Sequence, residues 1–123
     1  MTAPNRLVMY PIRDALIVVF SEPMVLDALQ VQQIGDELYN LVDGRACRKL
    51  ILDLSKVQML SSAALGVLVN LKKKSDAIKG KVVLCGVRKE PMKVFQITHL
   101  NKVFDIKANE EEALAVFGLT TAG

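Results

Sequence analysis

The run Lys49-Leu-Ile-Leu-Asp-Leu54 constrains this chain more than any other stretch. It is short, almost continuously apolar, and lacks the polar alternation of a strand with one wet face. Such a run belongs in the centre of a sheet covered on both sides. Covering both faces requires helical crossovers, and the flanking sequence supplies them. Upstream, Asp27 followed by Gln30 reads as a capping box. It opens a helix whose apolar residues Val31, Ile34, Leu38, Leu41 and Val42 fall on one stripe, ended by Asp43-Gly44. Downstream, a helix opening on Ser61 and Ser62 carries a stripe at Ala64, Val67, Leu68, Leu71, Ser75 and Ile78, closed by Gly80.

The other segments extend the alternation. Leu7–Tyr10 and Ala15–Phe20 read as two strands, with a turn over Pro11–Asp14. Lys81–Cys85 is a further strand, broken by Gly86. A helix over Pro91–Ile97, a brief strand at Val103–Asp105, and a last helix capped by Asn109 and running through Val116 complete the chain. The prediction is one α/β domain over residues 1–123, with its core at about 7–118. Its small, mixed and mostly parallel sheet has about four to five strands, packed with about four to five helices. With 123 residues, 51% apolar and 24% charged, the chain is large enough to bury a core and too apolar for disorder.

Several function classes are disfavoured. A net charge of +3 and an aromatic content of two Tyr and four Phe make no nucleic-acid footprint. The run Lys72-Lys-Lys74 lies late in a helix, where cations are favoured by the dipole. No stretch is long and apolar enough to insert in a membrane, and Met1–Arg6 does not read as a signal peptide. Cys47 and Cys85, far apart and without a CxxC, read as reduced thiols of a cytoplasmic protein. The single histidine, His99, is expected to bond the last carbonyls of its helix. No GxSxG elbow, phosphate-cradling glycine loop or metal-ligand cluster is present, so no catalytic residue, metal or cofactor is expected. Asp53, near the C-terminal end of the central strand, stands as a lone carboxylate, and Glu110-Glu-Glu112 reads as acids at a helix N-terminus.

The paired serines remain. One of them is expected to cap its helix, which stabilises by about 1 kcal/mol. The same place tolerates a phosphate, because free amides and the positive dipole end offset its charge. A phosphoryl group there adds roughly −2 charge to an exposed edge. A partner docking on that edge would meet repulsion and desolvation of several kcal/mol.

The segment Leu50-Ile-Leu-Asp-Leu-Ser-Lys-Val-Gln-Met-Leu-Ser-Ser-Ala-Ala-Leu-Gly-Val-Leu68 resembles the core signature of the STAS domain, a family that includes bacterial anti-sigma factor antagonists. Gly80–Val87 and Val94–Phe104 resemble its later strand, helix and strand. Aligned on Leu65-Gly66-Val67, Ser62 falls at the family's phosphorylatable serine. Ser61 then occupies the family's aspartate position, and Ala63 and Ala64 replace a serine and a glycine. The resemblance implies partner switching. The unmodified protein binds an anti-sigma factor that is also a serine kinase, phosphorylation breaks the complex, and a serine phosphatase restores it. Ser62 is the expected acceptor, with Ser61 the alternative. Met59, Leu60, Ser61, Ser62, Ala63, Leu65 and Val69 form the expected docking edge, although Met59, Leu60, Leu65 and Val69 serve equally well to complete the core. A second implied reading is an unmodified scaffold subunit of a signalling or transport assembly.

Overall fold

The computed structural model describes residues 7–25 and 27–119, so the reading of Met1–Arg6 lies outside the described residues. Strands β1 (Leu7–Ile12) and β2 (Ala15–Phe20) form an antiparallel hairpin in which Leu7 faces Phe20 and Ile12 faces Ala15. The turn is therefore only Arg13-Asp14, narrower than the expected Pro11–Asp14. Pro11 stays in β1 because that strand is an edge, where a missing N–H is tolerated. After β3 (Met24–Val25), helix α1 spans Ala28–Asp43. The Asp27 carboxylate accepts the Gln30 N–H at 3.2 Å, which supplies the N-cap half of the expected capping box.

The central run becomes β4 (Lys49–Asp53), followed by β5 (Met59–Leu60) and α2 (Ser62–Ala77). Strand β6 (Lys81–Cys85), α3 (Lys89–Ile97), a 3-10 turn at Leu100–Lys102, β7 (Asp105–Lys107) and α4 (Glu110–Val116) follow. The main sheet has the order β1-β2-β4-β6-β7, parallel apart from the first pair. This is the predicted mixed, mostly parallel sheet of five strands with four helices. The brief strand expected at Val103–Asp105 lies two residues later. Phe104 is instead the apolar anchor before it, buried and edge-on to Phe95 with ring centroids 6.2 Å apart.

Period-two alternation sends side chains to two unequal cores. Leu16, Val18, Leu50, Leu52, Val82 and Leu84 face one cluster, which holds the buried residues of α1 and α2 together with Phe95. Ile17, Val19, Ile51, Val83 and Cys85 face a smaller cluster closed by Ala113 and Leu114 of α4. Asp53, two residues beyond Ile51, follows the α4 side. Gly80 is required where α2 returns to the sheet. A Cβ there would meet Ser75 Oγ at 2.7 Å and the Arg48 backbone at 2.9 Å.

Candidate functional site

The loop from β4 to α2 is held in place by main-chain bonds. The Gln58 N–H donates to the Pro23 carbonyl at 2.7 Å, and the Ser61 N–H donates to the Val25 carbonyl at 2.9 Å. Met24 and Val25 lie in parallel register with Met59 and Leu60. This two-residue pairing has no sequence period, so the sequence pattern gives no strand at Met59 and Leu60. It fixes how the chain enters α2.

The two serines have different jobs. Ser61 is the N-cap, with extended backbone, and its Oγ accepts the Ala64 N–H at 3.1 Å. Ser62 is the first helical residue and is exposed, and its hydroxyl makes no hydrogen bond among the described residues. No acidic residue lies in the first turn of α2. The positive end of this helix therefore has no fixed counter-charge within its own first turn.

The remaining docking candidates separate. Ala63 is exposed beside Ser62, and Met59 keeps 49% of its surface in solvent, next to Met24 at 44%. Leu60 and Val69 are half-buried against the core. Leu65 is buried in it, only 6% exposed. The open choice between patch and core thus resolves residue by residue. Leu65 packs, Met59 faces water, and Leu60 and Val69 do both in part. Leu65 is buried because the inward face of α2 is wider than a single stripe, taking in Ala64, Leu65, Leu68, Leu71 and Ser75.

A second polar cluster occupies the α4 side at the C-terminal ends of β4 and β6. The Tyr10 hydroxyl donates to Glu110 at 2.8 Å and 3.0 Å. The Asp53 carboxylate accepts the Ser55 N–H at 2.9 Å and is hydrogen-bonded to Glu110. That bond to Asp53, with partial burial, pushes Glu110 up to about 7. Burial opposes ionisation of Asp53, but its bonds to Glu110 and Ser55 and the charge of Lys56 outweigh this and lower its pKa. Burial, then the bond to Glu110, raises Tyr10 to about 12. The lone carboxylate read from the sequence is therefore paired, and one of the three acids at the start of α4 turns inward to it. Asn109 does cap that helix as expected, accepting the Glu112 N–H at 2.9 Å.

Other candidates resolve simply. His99 is exposed with a left-handed backbone (φ 62), and its side chain bonds no helix carbonyl. Thr98 takes that job, donating to the Val94 carbonyl at 2.7 Å. Of the basic run, Lys72 pairs with Asp76, and Lys74 pairs with Asp43 while lying over the Tyr39 ring. Cys47 and Cys85 are free thiols. Among the described residues no group of three or more His, Cys, Asp or Glu is placed to hold a metal, and no helix is long and apolar enough to cross a membrane.

Residues 6–113 match the STAS domain family. A protein of Bordetella bronchiseptica assigned as the anti-sigma factor antagonist BtrV is 30% identical over 93 residues, 76% of this chain and 79% of that protein. The fold is shared with an anti-sigma factor antagonist from Mycobacterium paratuberculosis at 19% identity and a TM-score of 0.80, covering 94% of this chain and 97% of that one. It is shared too with the Bacillus cell fate determinant SpoIIAA in its phosphorylated form at 20% identity and a TM-score of 0.71, covering 90% of this chain and 98% of that one. The unphosphorylated form of SpoIIAA gives a TM-score of 0.79 at 20% identity, covering 94% of this chain and 99% of that one.

Proposed function

Because this chain belongs to the STAS domain family, among its anti-sigma factor antagonists, we propose that it is a cytoplasmic, non-catalytic binding module that switches partners through phosphorylation of Ser62. Unmodified, it binds an anti-sigma factor that is also a serine kinase. Phosphorylated, it lets go, and a serine phosphatase resets it. The observation that carries this reading is the division of labour between the two serines. Ser61 Oγ is engaged in the cap, whereas Ser62 presents an uncommitted hydroxyl to solvent at a helix start with no acid of its own. A phosphate on Ser62 would sit near the positive end of α2, so the fold tolerates it. A partner seated over Ser62, Ala63 and Met59 would instead have to bury it against its own surface.

The scaffold reading has one observation in its favour. Ser61 stands where the family carries an aspartate, so a kinase that reads that acid finds a neutral cap here. Intact-mass analysis and peptide mapping, after incubation with ATP and the anti-sigma kinases of the source organism, separate the two. One phosphate, absent from Ser62→Ala and retained in Ser61→Ala, supports the switch. A stable complex that ignores ATP and never acquires phosphate supports the scaffold.

A further inference from the structure

At the opposite pole of the sheet, where β2 and β4 begin, a cleft of about 570 Å³ lies between the β1–β2 turn and the loop from α1 to β4. Its volume falls in the range of small-molecule sites. Arg13, Arg45, Arg48 and Lys49 line it, with Asp14 the only acid. The excess of cations in this one cleft equals the +3 of the whole chain. Lys49 already neutralises Asp14, at 2.6 Å.

The ordinary use of arginines just past a helix is to bond its last carbonyls. That use is closed here, because the loop's own amides do it. The Gly44 and Arg45 N–H groups bond the Asn40 carbonyl at 2.8 Å and 3.0 Å, Ala46 bonds Val42 at 3.0 Å, and Cys47 bonds Leu41 at 2.9 Å. The guanidinium groups of Arg45 and Arg48 take part in no ion pair or hydrogen bond among the described residues. The walls are also held in costly backbone. Arg13 (φ 55) and Ala46 (φ 51) are both left-handed without being glycine, a conformation that persists only where its surroundings enforce it. The floor is apolar, from Pro11, Ala15 and Leu16, with Cys47 kept neutral because burial raises its thiol pKa.

We propose that this cleft binds a small phosphate-bearing organic anion, its phosphate held by Arg45 and Arg48 and its apolar part resting on the Pro11–Leu16 floor. Guanidinium forks match phosphate oxygens two at a time, and an anion answers the net positive charge of a cleft whose one lining acid is already paired with Lys49. The concave shape and the absence of an aromatic among the lining residues favour a small ligand over a nucleic-acid strand. The site is far along the strands from Ser62 and does not depend on the switch.

The test is titration of the full chain with AMP and, separately, with inorganic phosphate at fixed ionic strength, followed by amide NMR. AMP is expected to shift residues 13–16 and 45–49, to bind more tightly than inorganic phosphate, and to raise the melting temperature. The double variant Arg45→Ala, Arg48→Ala, altered only at exposed side chains, is expected to lose at least about tenfold in AMP affinity while melting like wild type without ligand. The proposal is overturned if AMP produces no shift in these segments. It is equally overturned if shifts spread over unrelated exposed lysines such as Lys73 and Lys102, if the double variant binds AMP as well as wild type, or if a DNA duplex displaces AMP from the cleft.

Discussion

Helices α2 and α4 each begin beyond the C-terminal end of a parallel strand, and each is capped by a polar side chain that accepts an N–H three residues on. Their treatment of the positive helix end is opposite. The first turn of α4 holds Glu110, Glu111 and Glu112, and with Glu110 turned inward to Asp53 its dipole is answered by the fixed charge of Glu111 and Glu112. The first turn of α2 holds no acid, and its neutral cap is followed by an exposed, uncommitted serine. A helix end with fixed acids is finished. One without them has room for a charge that comes and goes, and only there does adding a phosphate change binding without first colliding with resident carboxylates.

The largest effect expected from this contrast is on binding. Ser62→Glu should weaken association with the anti-sigma partner by on the order of a hundredfold or more, through a buried, unpaired charge at the contact. Ser62→Ala should bind within a few-fold of wild type. The stability of Ser62→Glu should stay level or rise by about 0.5 kcal/mol, since an acid at a helix N-terminus is favourable. Calorimetry with the purified partner, alongside urea unfolding, reads both. A Ser62→Glu chain that binds normally would remove the contrast between the two helix starts.

Next in size is the cap itself. Ser61→Ala should cost about 1 kcal/mol of unfolding free energy, because the Ala64 N–H loses its acceptor near a buried turn. Asn109→Ala should cost less, roughly 0.5 kcal/mol, since Glu112 is exposed and water replaces the lost bond. Paired urea curves check the order. An equal or reversed order would mean that α4 holds its face of the sheet more firmly than its seven residues suggest.

Much of this was legible in the sequence where the signal is local. The largely apolar β4, the one-sided stripe of α1, the caps at Asp27 and Asn109 and a cap at one of the two serines each declare themselves within a few residues, whereas the choice of Ser61 over Ser62 came only with the backbone. Strand β7 did not. Its residues Asp105, Ile106 and Lys107 are all half-buried and two of them join ion pairs, so they carry no apolar period, while the neighbouring Val103-Phe104 does. The β3–β5 pairing escaped because two residues cannot show a repeat. The Tyr10–Glu110–Asp53 cluster escaped because its members come from the beginning, middle and end of the chain and meet only once β1, β4 and α4 share one side of the sheet. What the sequence did hold was the alternation that puts Asp53 on the same side as Ile51.

The smallest expected effect is that cluster's imprint on stability against pH, and its sign follows from the shifts. Glu110 is raised from its usual 4.5 to about 7 in the folded chain. Between those values the folded chain therefore keeps a proton that the unfolded chain has released. The stability this contributes is fully present below about 4.5 and is lost as the pH rises through about 7. Asp53 has the opposite sign. It is lowered from 3.8, so its contribution is present above that value and lost as the pH falls through its folded value. Stability should thus decline from mildly acidic toward neutral pH, by an amount that solvent around the half-exposed Glu110 keeps modest. Glu110→Gln keeps the shape and the hydrogen-bonding reach of the protonated acid without its titration, so it should flatten that decline while leaving α2 and Ser62 untouched. Urea midpoints across this pH range in the two proteins decide it. A slope that survives in Glu110→Gln would belong to some other group, and α4's inward acid would then be a fixed counter-charge like its two neighbours.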